Sequence, residues 1–296
     1  MKVAVTGGTG FVGTAVVSEL LLAGHEVRVL SRNAPDRLPE EVRHVVGSIV
    51  TGEGLETLLE GTDAVIHLVG IIREAGANTF EAVHHQGTVN VLLAALRADV
   101  RRYLHMSAMG AREGAVSRYH QSKWAGEAAV RASGLDWTIF RPSTIFGPGD
   151  SFINMLNGMI QKFPVMPVIG GGKNKMQPVF VKDVAAAFRS SLDSDIHIWR
   201  TYELGGPEII TLMQILEKVA QAIDKRPIFV PAPLPIVAPL VKLAKLFRIK
   251  LPVTPDQLIM LGEDNIRTGG DPVEELGIEW TPFGKGIRTY LSPNGE

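Results

Sequence analysis

The chain has 296 residues, 45% hydrophobic and 21% charged, enough apolar material for a buried core and in keeping with a soluble globular protein. Its 30 Lys and Arg against 31 Asp and Glu give a net charge of -1, with no cationic excess for nucleic acid, so the expected partner is a small-molecule substrate. The absence of cysteine excludes disulfides, thiolate metal sites and a cysteine nucleophile, and fits a reducing compartment.

The N-terminal KVAVT (2–6) enters a strand within two residues, without the charged and apolar regions of a signal peptide, so the expected location is cytoplasmic. Further strand-like runs follow as EVRVLS (26–31), VRHVV (42–46), DAVIHLVG (63–70), RRYLHMS (101–107) and WTIFRP (137–142). Between the runs lie helical patterns, among them FVGTAVVSELLLAG with Gly24 as its C-cap and a long one from Thr79 to Arg97. This alternation predicts βαβ units and an α/β fold with a doubly wound parallel sheet, the Rossmann fold, over residues 1–150. Beyond Pro142 proline becomes frequent, and VFV (179–181) and TYEL (201–204) stand as single strands among helices. A smaller C-terminal substrate-binding domain of 151–175 and 207–296 is expected, with strands from 176–206 returning to the first.

Thr6-Gly7-Gly8-Thr9-Gly10-Phe11-Val12-Gly13 joins the first strand to the first helix. Glycines there let the backbone approach a pyrophosphate seated on the helix N-terminal amides, so Gly7, Thr9, Gly10, Phe11, Val12 and Gly13 are candidate dinucleotide-binding residues. An acidic residue at the end of the second strand would hold a ribose 2′-hydroxyl. This chain has Ser31-Arg32-Asn33, which suits a 2′-phosphate and favours NADP(H) over NAD(H).

Tyr119 and Lys123 form Y-x-x-x-K at the start of a predicted helix, on one face. A nearby ammonium favours the phenolate, so the phenol is expected to move toward a useful general acid/base for carbonyl reduction or alcohol oxidation. The pair His84-His85 has no ligand at helical spacing beyond it, and no metal site is expected. Asp183 precedes a helical run and reads as an N-cap. Residues 233–252 are apolar but broken by Pro235 and Pro239 and punctuated by Lys242, Lys245, Arg248 and Lys250. Two readings stay open there: a helix packed on the substrate domain with a solvated basic edge, and peripheral contact of 236–250 with the inner face of a membrane.

The G-x-x-G-x-x-G spacing and Y-x-x-x-K, with GTDAVIHLVG, GTVNVLLAAL, RPSTIFGPGD and QPVFVKDVAAAF, resemble the atypical extended short-chain dehydrogenases/reductases, a superfamily of epimerase/dehydratase-like enzymes. HLVGIIRE, GPGDSFIN and QPVFVKDVA are most similar to the group containing the NADPH-binding accessory subunit of respiratory complex I and its bacterial relatives. The resemblance implies Tyr119 as acid/base, Lys123 as its partner and holder of the nicotinamide ribose, and Ser107 as the substrate-orienting serine. It further places Leu68, Val69 and Gly70 beside the cofactor's centre, and Pro142, Thr144 and Ile145 at the nicotinamide. The chain departs from the pattern at Ala108 and Met109, where epimerase-like members carry the serine, at His84 in place of an asparagine, and at Ser48 in place of an adenine-reading aspartate. Intact Tyr119 and Lys123 imply an oxidoreductase or epimerase-like enzyme, on a lipid-like or quinone-like substrate among others. The departures imply a nucleotide-holding assembly or redox-sensing protein.

Overall fold

The computed structural model describes residues 1–33, 38–233, 235, 237–239 and 254–292. The membrane-contact candidate 236–250 lies outside the described residues apart from 237–239. The chain divides into two compact units, Met1–Pro142 with Val181–Leu204 and Gly269–Glu279, and Ser143–Phe180 with Gly205–Thr268 and Trp280–Glu296.

The first unit is built on β1 (Lys2–Thr6), β2 (Glu26–Ser31), β3 (Arg43–Val46), β4 (Ala64–His67), β5 (Arg102–Met106) and β6 (Asp136–Pro142), joined by the strand Arg200–Leu204. All seven strands are parallel, in the order β3-β2-β1-β4-β5-β6 followed by Arg200–Leu204. This is the doubly wound Rossmann sheet expected from the alternation of elements. Helices cover both faces of such a sheet, so its central strands are buried throughout: Val3, Ala4 and Val5 of β1 and Ala64, Val65 and Ile66 of β4 are wholly inaccessible. The strand order reverses between β1 and β4, and a ligand of an open parallel sheet binds outside the carboxyl ends at such a point.

Helix α1 (Phe11–Leu22) follows β1 and ends where Gly24 takes φ +79°, the left-handed conformation of a residue just past a helix end. Helix α2 (Leu55–Leu59) follows β3. The long pattern from Thr79 resolves into a π-helical turn, Glu81–Gln86, running into α3 (Gly87–Arg97). Helix α4 (Arg118–Ala132) packs against that turn at Gly126, where a Cβ would lie 2.5 Å from the His84 carbonyl oxygen, so only glycine allows the approach. The buried Glu127 of α4 accepts from Arg141 Nε and Nη2, at 2.8 and 2.7 Å, and pairs with Arg131 at 2.8 Å. The VFV run is strand only over Val179–Phe180, and a helix spans Val181–Leu192. Asp183 is therefore buried inside the first turn rather than the expected N-cap, because the helix starts at Val181, two residues before it.

The second unit uses short paired strands, with Val165–Ile169 parallel to Ile228–Ala232 and Ile145–Phe146 parallel to Val179–Phe180. Gln177 ties it together: its amide donates to Gly206 O at 2.8 Å and accepts from Arg267 N at 2.9 Å. Among the described residues no helix is long and apolar enough to cross a membrane.

Candidate functional site

The turn after β1 has the shape that its glycines allow. Gly7 takes φ +80°, and a Cβ on it would come within 3.0 Å of Val69 N. Gly13 is tighter, since its Cβ would lie 2.0 Å from Gly7 O and so part α1 from the turn. Gly10 N donates to Gly7 O at 3.0 Å, and α1 begins without a side-chain cap or an acidic residue in its first turn. Its first amides and the positive end of its dipole therefore suit an anion.

Beside this turn lies a cavity of about 400 Å³. It brings together Gly7, Thr9, Ser31, Arg32, Asn33 and Val69 of the sequence-predicted residues, with Ser48, Ile71 and Asn78 among its other walls. Gly10, Phe11, Val12, Gly13, Leu68 and Gly70 flank it in sequence without lining it. Ser31 Oγ donates to Asn33 O at 2.6 Å and lies 2.7 Å from His44 Nε2. The hydroxyl has one proton to give, so the imidazole is the donor to Ser31. Asn90 Nδ2 donates to Ile49 O at 2.8 Å and Val50 O at 3.2 Å and holds the far wall. A cradle that a Cβ would fill and an uncapped helix start fit a dinucleotide, with Arg32 in the cavity lining.

Tyr119 and Lys123 lie in the first turns of α4, whose N-cap Ser117 accepts from His120 N at 3.3 Å. Lys123 is buried and donates from Nζ to Met106 O, at the end of β5, at 3.0 Å. A Cβ on Gly70 would lie 3.0 Å from Lys123 Nζ and 3.6 Å from His84 Nε2, so the segment after β4 passes directly over both. Burial pushes Lys123 down to about 8. Tyr119 is partly exposed, with its ring edge-on to Phe80, His84 and His120. Desolvation pushes its phenol up to about 12, which corrects the expectation of a pKa drawn down by the ammonium.

Ser107 is buried, its amide donates to Phe140 O at 2.7 Å, and its Oγ has no partner among the described residues. The neighbouring Ala108 and Met109 are buried. Pro142 closes β6, while Thr144 and Ile145 belong to the second unit, where Thr144 O accepts from Val179 N at 3.0 Å.

Several site-adjacent residues escaped the sequence reading. His67 meets Thr6 Oγ1 at 2.6 Å and Thr88 Oγ1 at 3.2 Å, and Thr88 donates to His84 O at 2.7 Å. Ser122 Oγ lies 2.8 Å from His84 Nδ1 and donates to Tyr119 O at 2.8 Å. The one signal for His67 was a histidine within the apolar run DAVIHLVG.

A model of the NAD dependent epimerase/dehydratase family matches residues 3–205. The chain is 33% identical to the mitochondrial NADH dehydrogenase (ubiquinone) 1 alpha subcomplex subunit 9 of Arabidopsis thaliana over 243 residues, 78% of this chain and 60% of that protein. It is 36% identical to the ceramide reductase of Caulobacter vibrioides over 187 residues, 62% of this chain and 58% of that protein. The chain thus spans about 60% of the length of these curated relatives. The solved structure of DesIV, a dTDP-glucose 4,6-dehydratase from Streptomyces venezuelae with NAD and TYD bound, superposes with a TM-score of 0.78. At 22% identity, over 98% of this chain and 96% of that one, the likeness is one of fold.

Proposed function

Because this chain belongs to the NAD dependent epimerase/dehydratase family, we propose that it is an NADP(H)-dependent oxidoreductase in which Tyr119 exchanges a proton with the oxygen of a carbonyl or alcohol substrate. The observation that carries the reading is the placement of Tyr119 on α4 one turn before Lys123, whose Nζ reaches Met106 O while Gly70 crosses it. A bound nicotinamide supplies or accepts the hydride. The chain's own residues do the rest. A phenol pushed up to about 12 keeps its proton at neutral pH and gives it only to a strongly basic oxygen, which suits protonation of an alkoxide developing during reduction. Lys123, one turn on and held at Met106 O, holds the nicotinamide ribose. The unpartnered Ser107 hydroxyl orients the substrate oxygen. Gly7, Thr9, Gly10 and Gly13 hold the pyrophosphate, and Ser31, Arg32 and Asn33 hold the 2′-phosphate. Identity to a ceramide reductase supports a lipid-like carbonyl substrate.

The test is single-turnover oxidation of NADPH with a long-chain ketolipid, a quinone and a nucleotide-sugar carbonyl, in wild type and Tyr119→Phe. Oxidation that is lost in Tyr119→Phe while NADPH affinity is retained supports the proposal; an equally active Tyr119→Phe sinks it.

A second reading, a nucleotide-holding assembly protein, is favoured by Ala108 and Met109 in place of a hydroxyl and by the identity to the Arabidopsis subunit. Tight NADPH binding with no oxidation of any carbonyl selects it, and flotation with anionic vesicles tests contact through 236–250.

A further inference from the structure

His84 is 1% exposed in the π-helical turn, and its two ring nitrogens hold two different parts of the site. Nε2 accepts from the Ile71 amide at 2.9 Å, and Ile71 lines the dinucleotide cavity. Nδ1 meets Ser122 Oγ at 2.8 Å, and that hydroxyl spends its only proton on Tyr119 O at 2.8 Å. The directions of these bonds are therefore fixed: Ile71 N–H donates to Nε2, and Nδ1–H donates to Ser122. Burial, with Lys123 nearby, pushes the imidazole down to about 2, in keeping with this neutral tautomer.

The backbone of the same residue faces the other way. His84 O accepts from Thr88 Oγ1, which takes the His67 Nε2 proton, and His67 Nδ1 accepts in turn from Thr6 Oγ1. A continuous series of hydrogen bonds thus runs from the last residue of β1 to His84. The ring of His84 stacks on Phe80 at 5.5 Å and meets the Tyr119 ring edge-on at 5.4 Å, so packing and hydrogen bonds fix the same orientation. π-helical turns are rare and recur at functional sites, and this one carries the histidine.

We infer that His84 is a positioning residue, which through Ser122 and the Ile71 amide fixes Tyr119 relative to the wall of the dinucleotide cavity. The inference rests on Tyr119 being the proton-exchanging group, yet its geometry can be tested without turnover.

His84→Asn and His84→Gln separate the two arms. An asparagine amide nitrogen takes the place of Nδ1 and keeps the Ser122 bond, whereas a glutamine oxygen takes the place of Nε2 and keeps the Ile71 bond. With Ser122→Ala as the third variant, three quantities are measured: NADPH affinity by nicotinamide fluorescence, the single-turnover rate with the ketolipid, and the ring-carbon resonance of Tyr119 in 13C-tyrosine protein, assigned with Tyr119→Phe. His84→Asn is expected to weaken NADPH about tenfold and to shift the Tyr119 resonance only as far as loss of the neighbouring imidazole ring does. His84→Gln and Ser122→Ala are expected to keep NADPH affinity within about twofold, slow turnover about 10–100-fold and shift the Tyr119 resonance. Their combination should be no slower than either alone, because both cut one path. An unmoved Tyr119 resonance in Ser122→Ala, or a shift in His84→Gln no larger than that in His84→Asn, overturns the inference, as do losses that follow thermal stability in all three variants alike. Wild-type protein inactive on every carbonyl overturns the proposed oxidoreductase instead, and the resonance and affinity arms still decide the role of His84.

Discussion

The Lys123 ammonium donates to the Met106 carbonyl at 3.0 Å, in surroundings that leave the residue 3% exposed. Burial lowers its pKa to about 8 from the usual 10.5. Between those values the unfolded chain holds a proton that the folded chain has lost, so stability rises with pH across the window, by up to about 3 kcal/mol. Lys123→Met removes the buried charge. The variant is expected to be more stable than wild type in urea unfolding at pH 7, the gap closing by pH 10, while NADPH binding weakens. A variant less stable at pH 7 would show that the Met106 bond outweighs the desolvation.

Three buried histidines set the acid limit. Burial holds His67 at about 3 and His84 at about 2, and pushes His105 well below its ordinary 6.5. The stability of these neutral rings is complete above pH 6.5 and is lost as pH falls toward their folded values, because the unfolded chain then binds more protons. The slope is up to about 1.4 kcal/mol per pH unit for each ring. Thermal midpoints should therefore drop steeply from pH 7 to pH 5. Neither His105 nitrogen has a partner among the described residues, and its ring stacks on His67 at 5.4 Å. His105→Phe should keep the pH 7 midpoint and flatten the acid slope; an unchanged slope would remove His105 from this account.

Gly13→Ala tests the turn. Its Cβ would sit 2.0 Å from Gly7 O, so α1 must move away from the glycine turn. The expected cost is about 1–3 kcal/mol of stability, with NADPH binding lost beyond that. Fluorescence titration alongside urea unfolding separates the two, and wild-type affinity in a stable Gly13→Ala would contradict the cradle.

Arg32→Glu tests the cofactor preference. Arg32 lines the cavity beside Ser31 and Asn33. On the proposed preference for a 2′-phosphate, replacing this cation with a carboxylate should weaken NADPH about 100-fold and leave NADH unchanged or improved. Equal losses for both nucleotides would place the 2′-phosphate elsewhere.

The sequence by itself determined the parallel sheet, the glycine turn and the Tyr119 helix, because each rests on local information. Runs such as KVAVT and EVRVLS declare strands over a few residues, the glycines at 7, 10 and 13 declare a turn without side chains, and Tyr119 and Lys123 share a face through helical spacing alone. Tertiary structure decided what depends on the meeting of distant segments. Ile71, His84 and Ser122 converge from three places in the chain, and the π-helical turn that carries His84 leaves no periodicity distinct from an ordinary helix. The sign of the Tyr119 shift was also decided there. Spacing on the helix put an ammonium within reach, whereas packing against Phe80, His84 and His120 and the turning of Lys123 toward Met106 leave desolvation as the dominant effect. Burial belongs to the packed chain as a whole, and it reverses what a charge four residues away would do in water.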